Sequence, residues 1–173
     1  MSYKISAGLK ENVLGSWISK AGNKYGRFGD GRVDYSNAST APVVMCTIVY
    51  RGKILLVKRG YGLADAEGYW SIVNGFIDEI RPVKEIAKQE VKEELGLDIG
   101  IDDIKVAESY ALQNPKEKRQ YIIFACLVTL KSKPCIVLDR ENTDYAWVSR
   151  KELINYETLD DLPFAIDTAL SLN

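Results

Sequence analysis

The sequence predicts one α/β domain, an α/β/α sandwich in which helices cover both faces of a mixed β-sheet. A chain of 173 residues can bury a single sizeable core and is short for two domains. The apolar runs at 43–50, 53–58 and 121–130 are nearly uninterrupted, which is typical of strands covered on both faces. An amphipathic helix predicted at 83–95 supplies part of one covering layer.

The first 41 residues are predicted to form an N-terminal appendage of one helix and a loop, and residues 42–173 the main domain. Apolar residues recur at helical spacing from Leu9 to Ile18, and the glycines from Gly22 onward break this period. From residue 42 the pattern becomes that of strands, so we place the boundary there.

The main domain is predicted to start with a hairpin, in which a turn at 51–52 joins strands 43–50 and 53–58. A short strand at 70–73 then ends at Asn74-Gly75, a dipeptide that by itself is a strong hairpin-turn signal. The later elements are predicted as strands 104–112, 121–130, 136–138 and 145–148 and helices 150–156 and 162–172.

The helix at 83–95 has clear end signals. Pro82 stands where a first helical residue is expected, and Gly96 is suited to the left-handed conformation that ends many helices. Val91 and Leu95 lie four residues apart and belong to one apolar stripe that can pack on the sheet.

A second stripe on this helix carries carboxylates. Glu90 and Glu94 lie at the border of the buried face, with Glu93 beside them. Like charges four residues apart repel by about 0.2–0.5 kcal/mol, and the last helical turn favours cations. A bound divalent cation would compensate, because Mg²⁺ takes oxygen ligands and bridges carboxylates to phosphate oxygens. The alternative is a solvated face of alternating lysines and glutamates.

The composition restricts the chemistry and the partners. The chain has no histidine, which excludes an imidazole base or metal ligand, and its three widely spaced cysteines do not suggest a disulfide framework or a zinc site. A net charge of -1 gives no overall attraction to nucleic acid or an anionic membrane. There is no long apolar segment and no secretion signal, so we expect a cytoplasmic protein that binds a small molecule.

Seven residues between 75 and 97 share one fixed spacing: Gly75, Glu90, Val91, Glu93, Glu94, Gly96 and Leu97. This spacing resembles the Nudix box of the Nudix hydrolases, and the likeness extends over about residues 42–155. Arg81 stands where the box has a glutamate, and Gln89 where it has an arginine. In the family those two residues form an ion-pair network that orients the helix glutamates. We hypothesise that Arg81 instead supplies positive charge to Glu93 from the opposite side.

The resemblance implies a Nudix-like fold and a role for each candidate residue. Glu90, Glu93 and Glu94 would bind metal, with a backbone carbonyl of Gly75 as a further ligand. Glu93 and Glu94 are also candidates for catalysis, and the choice of the water-activating base among the three glutamates is open. Glu141, in a late loop, is either a further catalytic acid or a solvated carboxylate.

Two residues are candidates for substrate binding. Arg59 would steady a phosphate oxygen, although an arginine that ends a strand is often a surface residue. Trp70 flanks the proposed site, although aromatic residues of a β-rich domain usually belong to the core. The implied cofactor is Mg²⁺, with Mn²⁺ as a substitute, and a homodimer is open because some Nudix subfamilies exchange N-terminal segments.

The implied activity is hydrolysis of the diphosphate bond in a nucleoside diphosphate linked to another moiety, such as ADP-ribose, NADH or a nucleotide sugar. The alternative is a catalytically weak Nudix-fold protein that binds a nucleotide or sugar phosphate as a sensor. The departures at Arg81 and Gln89 motivate this alternative. Turnover separates the two.

Overall fold

A mixed β-sheet lies at the centre of the fold, which was obtained as a computed structural model describing residues 4–60, 67–114 and 118–173. Within these ranges the strands are β1 (Lys4–Ala7), β2 (Thr40–Tyr50), β3 (Lys53–Arg59), β4 (Trp70–Ser71), β5 (Val73–Phe76), β6 (Ile104–Val106), β7 (Tyr110–Asn114), β8 (Arg119–Leu130) and β9 (Asn142–Val148). β2 and β8 pair in parallel, and the other strand pairs are antiparallel. The mixed sheet is therefore confirmed.

Helices cover both faces of this sheet. They are α1 (Glu11–Tyr25), α2 (Val83–Leu95) and α3 (Leu162–Leu170). Buried residues of α1 and α2 share one apolar cluster, and those of α3 belong to a second cluster on the opposite face. The predicted α/β/α sandwich is thus confirmed. Among the described helices, none has the length and apolar character needed to cross a bilayer.

Strand β2 explains why its sequence is apolar at nearly every position. Val44, Cys46 and Ile48 face the cluster that contains α2. Met45 and Val49, on the alternate positions, face the cluster that contains α3. Because successive side chains of a strand point to opposite faces, a central strand between two helical layers is apolar throughout.

Helix α2 has the predicted ends to within one residue. Gly96 follows the helix with φ 67°, in the left-handed region, and its N–H donates to the carbonyl of Lys92 at 2.9 Å. Pro82 is the residue before the helix rather than its first helical residue, a difference of one position.

The N-terminal segment packs more closely on the rest of the chain than the sequence pattern indicates. Strand β1, which was not predicted, pairs with β7. Helix α1 continues past Gly22 to Tyr25, so the predicted end of this helix was wrong. The missing side chain at Gly22 makes room for Arg27, whose Nη2 would lie 2.4 Å from an added Cβ. The division into residues 1–41 and 42–173 stays a prediction.

Three later elements differ from their predictions. The strand expected at 104–112 is two strands, β6 and β7, because the chain gains one residue against β8 between Val106 and Tyr110, as in a β-bulge. Residues 136–138 form no strand: the N–H of Val137 donates to the carbonyl of Leu95 at 2.9 Å, and the segment caps the end of α2. The helix expected at 150–156 is a short 3₁₀ helix, Glu152–Asn155.

Candidate active site

A cleft of about 450 Å³ opens beside α2, and it has two chemically different walls. One wall carries the carboxylates of Glu90 and Glu93 from α2 and of Glu141 from the loop before β9. The other wall is largely apolar and comes from the sheet face that packs on α3, with Val43, Met45, Leu112 and Ile123, and from Leu162 of α3 itself. Three of the four sequence-predicted acids are therefore brought together in one cleft, next to an apolar surface.

Gly75 lies directly under Glu90. It belongs to β5 and pairs with Val44 of β2, so Asn74-Gly75 is part of a strand and the hairpin-turn interpretation of this dipeptide is wrong. An added Cβ on Gly75 would stand 2.2 Å from the Glu90 Cδ. Only glycine leaves room for a carboxylate this close to the strand.

The carboxyl group of Glu90 is strongly perturbed. Burial raises its pKa to about 8, with further increases from the charges of Glu94, Glu93, Asp78 and Glu141. Among the ion pairs of the described residues, none involves Glu90. A half-buried carboxylate surrounded by other acids is a costly arrangement that a cation would relieve.

Glu94 lies one helical turn after Glu90 and is 9% exposed. Its Oε1 accepts a hydrogen bond from the N–H of Asn74 at 3.1 Å, and its Oε2 accepts one from Nδ2 of Asn142 at 3.0 Å. Burial raises the pKa of Glu94 to about 7, although the bonds from Asn142 and Asn74 favour the ionised form. These contacts fix the carboxylate, so Glu94 does not belong to a solvated face of lysines and glutamates. The metal-binding and catalytic roles of Glu94 stay predictions.

Glu93 is exposed and connected to Arg81 through Gln89. Arg81 Nη1 donates to Gln89 Oε1 at 2.5 Å, and Gln89 Nε2 donates to Glu93 Oε1 at 2.8 Å. Arg81 also pairs with Glu79 at 2.8 Å and with Glu85 at 3.4 Å. The hypothesised direct pairing of Arg81 with Glu93 is therefore replaced by a chain of two hydrogen bonds.

The remaining predicted residues also line the cleft. Glu141 is exposed, and its backbone is fixed because its carbonyl accepts from the N–H of Gly60 at 2.7 Å. Arg59, at the end of β3, is close enough for its charge to lower the pKa of Glu94. Trp70 presents part of its ring to the cleft and packs edge-on against Tyr156, with centroids 5.0 Å apart. Their catalytic and substrate-binding roles stay predictions.

Two more residues contribute to the site, and sequence reasoning missed the first of them. Asn142 is buried, and besides Glu94 its Nδ2 contacts Asp139 Oδ1 at 3.1 Å. The only signal for it was its position directly after Glu141, because a spacing pattern says nothing about burial. Arg32 lines the cleft from the same chain's N-terminal segment and lies 3.7 Å from Asp78.

The donor chemistry of the cleft fits a hard divalent cation. In the described ranges no three acidic or thiol side chains converge into a ready metal cage. Mg²⁺ does not require such a cage, because it is commonly bound by one or two carboxylates together with substrate phosphates. Glu90 and Glu93, both facing the cleft, are the side chains best placed to hold it there.

The fold and the cleft define the class of the protein, an α/β/α sandwich with a glutamate-lined cleft. Its family follows from a comparison with known families: the model described as NUDIX domain matches residues 40–167. The match spans most of the chain, and the chain belongs to the Nudix family. It is a hydrolase of the Nudix type, which acts on diphosphate bonds.

Two related proteins agree with this assignment. The chain is similar to nucleoside triphosphatase NudI of Klebsiella pneumoniae (strain 342), at 24% identity over 66% of this chain and 86% of that protein. NudI of Escherichia coli (strain K12) is 26% identical with the same coverage.

Two solved structures show the same fold. The MutT protein of Methanosarcina mazei Go1 matches with a TM-score of 0.62 and 21% identity, over 79% of this chain and 97% of that one. The NUDIX domain of Shewanella oneidensis NrtR, solved with ADP ribose, matches with a TM-score of 0.64 and 16% identity, over 77% and 88%.

Proposed function

We propose that the protein is a Mg²⁺-dependent hydrolase that cleaves the diphosphate bond of a nucleoside diphosphate linked to another moiety, such as ADP-ribose, NADH or a nucleotide sugar. The observation that carries the proposal is the cleft itself. Glu90, Glu93 and Glu141 line it together with an apolar wall from the sheet. A diphosphate attached to an apolar, aromatic base has this same division between charged and uncharged parts.

The extent of the cleft supports a substrate with groups on both sides of the diphosphate. Besides the acids and the apolar wall, the cleft is lined by Phe76 and Asp78 near α2 and by Arg32 from the N-terminal segment. These residues offer an aromatic surface, a carboxylate and a guanidinium to a second moiety. The fold neighbour solved with ADP ribose is a protein that binds a ligand of this kind.

The glutamates divide the work according to their surroundings. A bound Mg²⁺ would neutralise the diphosphate and lower the pKa of a water molecule. Glu90 and Glu93 face the cleft and would hold the cation, whereas Glu94 is fixed by Asn74 and Asn142 and is not among the cleft-lining residues. Glu141 is exposed on the opposite loop, where it can accept a proton from the attacking water. Arg59 would bind a phosphate oxygen.

A second candidate substrate class is the nucleoside triphosphates, because the similar NudI proteins are named nucleoside triphosphatases. A triphosphate ends in phosphate and needs no second moiety, so it would leave the region near Arg32 and Phe76 unfilled. Direct competition between the two substrate classes decides between them.

The test is turnover of a substrate panel by the purified protein with Mg²⁺. The panel contains ADP-ribose, NADH, a nucleotide sugar and the nucleoside triphosphates, with products separated by chromatography. We expect cleavage of the linked diphosphates, a large loss of kcat in Glu93→Gln, and no loss in Glu108→Gln, an exposed glutamate outside the cleft. Preference for triphosphates would favour the second class. Saturable binding with very slow turnover would favour the sensor alternative.

The cellular setting follows from the same proposal. We propose that the protein works in the cytoplasm. Its partner there would be a small molecule, since its near-neutral net charge offers no general attraction to nucleic acid or membranes. A homodimer stays a prediction, and sedimentation analysis of the full chain tests it.

A further inference from the structure

Three side chains form a continuous hydrogen-bonded path on the outer side of α2. Arg81 Nη1 donates to Gln89 Oε1 at 2.5 Å, and Gln89 Nε2 donates to Glu93 Oε1 at 2.8 Å. Gln89 and Glu93 both line the cleft, whereas Arg81 lies just before the helix. The path therefore runs from a residue outside the helix to a carboxylate inside the cleft.

The Gln89 amide can serve this path in one orientation only. An amide has an acceptor oxygen and a donor nitrogen, and these two ends are not interchangeable between a guanidinium and a carboxylate. With the oxygen toward Arg81, the NH₂ group must point toward Glu93. Rotating the amide by half a turn would place donor against donor and acceptor against acceptor, at the expense of both bonds.

Arg81 is itself fixed from the other side. Glu79 pairs with its Nη1 at 2.8 Å, and Glu85, one helical turn before Gln89, pairs with its Nε at 3.4 Å. The guanidinium therefore has three partners that limit its rotation. The positive charge of Arg81 is paired with the carboxylates of Glu79 and Glu85. The group that contacts Glu93 is the neutral amide NH₂ of Gln89, held in a fixed orientation.

We propose that Gln89 is a positioning residue, which transmits the fixed orientation of Arg81 to the carboxylate of Glu93 and so presents that carboxylate to the cation and the diphosphate. This rests on the proposed function of the cleft. Residues 81 and 89 differ from the Nudix box, which has a glutamate and an arginine there. The carboxylate of Glu93 nevertheless still accepts a hydrogen bond, from the amide of Gln89. An exposed glutamate without this donor would sample several rotamers and spend less time in the productive one.

A double-mutant cycle tests the path as a unit. The variants are Arg81→Ala, Gln89→Leu and the double variant, with Lys92→Leu as a control at an exposed position on the same helix. We expect each single variant to lower kcat by roughly ten- to a hundredfold with little change in KM, since orientation of a reacting group affects mainly the chemical step. Because both residues act through one path, the double variant loses no more than Gln89→Leu.

Mn²⁺ binding to the substrate-free protein, measured by electron paramagnetic resonance, supplies a readout that does not depend on turnover. Loss of a residue that orients a metal ligand weakens metal binding by about 10- to 100-fold. We expect such a loss in both single variants, none in Lys92→Leu, and thermal unfolding close to that of the unmodified protein throughout.

The outcomes separate the two proposals. Wild-type Mn²⁺ affinity in Gln89→Leu, or losses of kcat that multiply in the double variant, would overturn the positioning role. A protein that cleaves no diphosphate, yet shows the expected pattern of Mn²⁺ affinities, would refute the proposed activity and leave the role of Gln89 intact. A further comparison is between Arg81→Glu and the double variant Arg81→Glu/Gln89→Arg. Higher Mn²⁺ affinity in the double variant would further support the positioning role of residue 89, because an arginine next to Glu93 replaces the amide donor.

Discussion

The carboxylate of Glu90 lies against the Cα of Gly75, so that an added Cβ would stand 2.2 Å from Glu90 Cδ. The contact joins two separate parts of the Nudix box in space, since Gly75 is in β5 and Glu90 is about two turns into the next helix. The contact places the Glu90 carboxylate at the cleft surface and restricts position 75 to glycine.

Replacing Gly75 with alanine should displace Glu90. A contact of 2.2 Å cannot be accommodated, so the carboxylate or the strand must move by about 1 Å. A displacement of this size at a reacting group can cost on the order of 100-fold in rate. The measurement is kcat with Mg²⁺, beside Gly29→Ala, where an added Cβ meets nothing within 4 Å. Equal losses in both variants, or none in Gly75→Ala, would contradict this reading of the contact.

Without metal, the protein should become less stable as pH rises from about 5 to about 8. Burial raises the pKa of Glu90 to about 8 and that of Glu94 to about 7, so the folded state retains protons that the unfolded chain has already lost. The unfolding free energy then falls through this range. Glu90→Gln should therefore be more stable than the unmodified protein at pH 8, by about 1–3 kcal/mol, and much closer to it at pH 5.

Urea unfolding in a chelator, at pH 5 and pH 8, measures this difference. Mg²⁺ should stabilise the unmodified protein at pH 8, because a ligand that binds the folded state raises its stability, and should have little effect on Glu90→Gln. Glu108→Gln, at an exposed position, serves as the control. A stability gap between Glu90→Gln and the unmodified protein that does not change with pH would show that Glu90 is not the titrating group.

The sequence predicted the elements whose signal is local. The helix Val83–Leu95 ends at Gly96 as expected, because a left-handed terminal residue and an apolar stripe are both visible in a single stretch of chain. The cleft acids were also found, since Glu90 and Glu93 belong to one helix with fixed spacing. The local pattern could not show which distant residues contact each acid.

The errors involve contacts between distant segments. Asn74-Gly75 has the dipeptide of a hairpin turn, yet pairing with β2 keeps it extended, and only the folded chain shows that Glu90 lies above it. Residues 136–138 alternate like a strand, but the carbonyls of Leu95 and Glu94 at the end of α2 accept the N–H groups of Val137 and Asp139. In both cases a tertiary partner overrides a local preference.

Asn142 should stabilise the ionised form of Glu94. Its Nδ2 donates to Glu94 Oε2 at 3.0 Å in a buried setting. Asn142→Asp keeps the shape but removes the donor and adds a carboxyl group, so we expect a loss of about 1–3 kcal/mol in unfolding free energy at pH 7 and a smaller loss at pH 5, where the new carboxyl can be protonated. Asn155→Asp, at an exposed position, is the control. A loss of equal size at both pH values would argue against an electrostatic cause.

Arg32 should contribute to substrate affinity rather than to the chemical step. It reaches the cleft from the N-terminal segment, its Nε donates to Asp30 Oδ2 at 2.8 Å, and its Nη1 lies 3.7 Å from Asp78 Oδ2. If the second moiety of a linked diphosphate lies there, Arg32→Ala removes a charged contact, and KM for ADP-ribose should rise by about 10- to 100-fold with kcat nearly unchanged. Lys20→Ala, an exposed position on α1, controls for the loss of one positive charge, and nucleoside triphosphates should show a smaller rise because they lack the second moiety. An unchanged KM for ADP-ribose, or a fall in kcat alone, would place the second moiety elsewhere in the cleft.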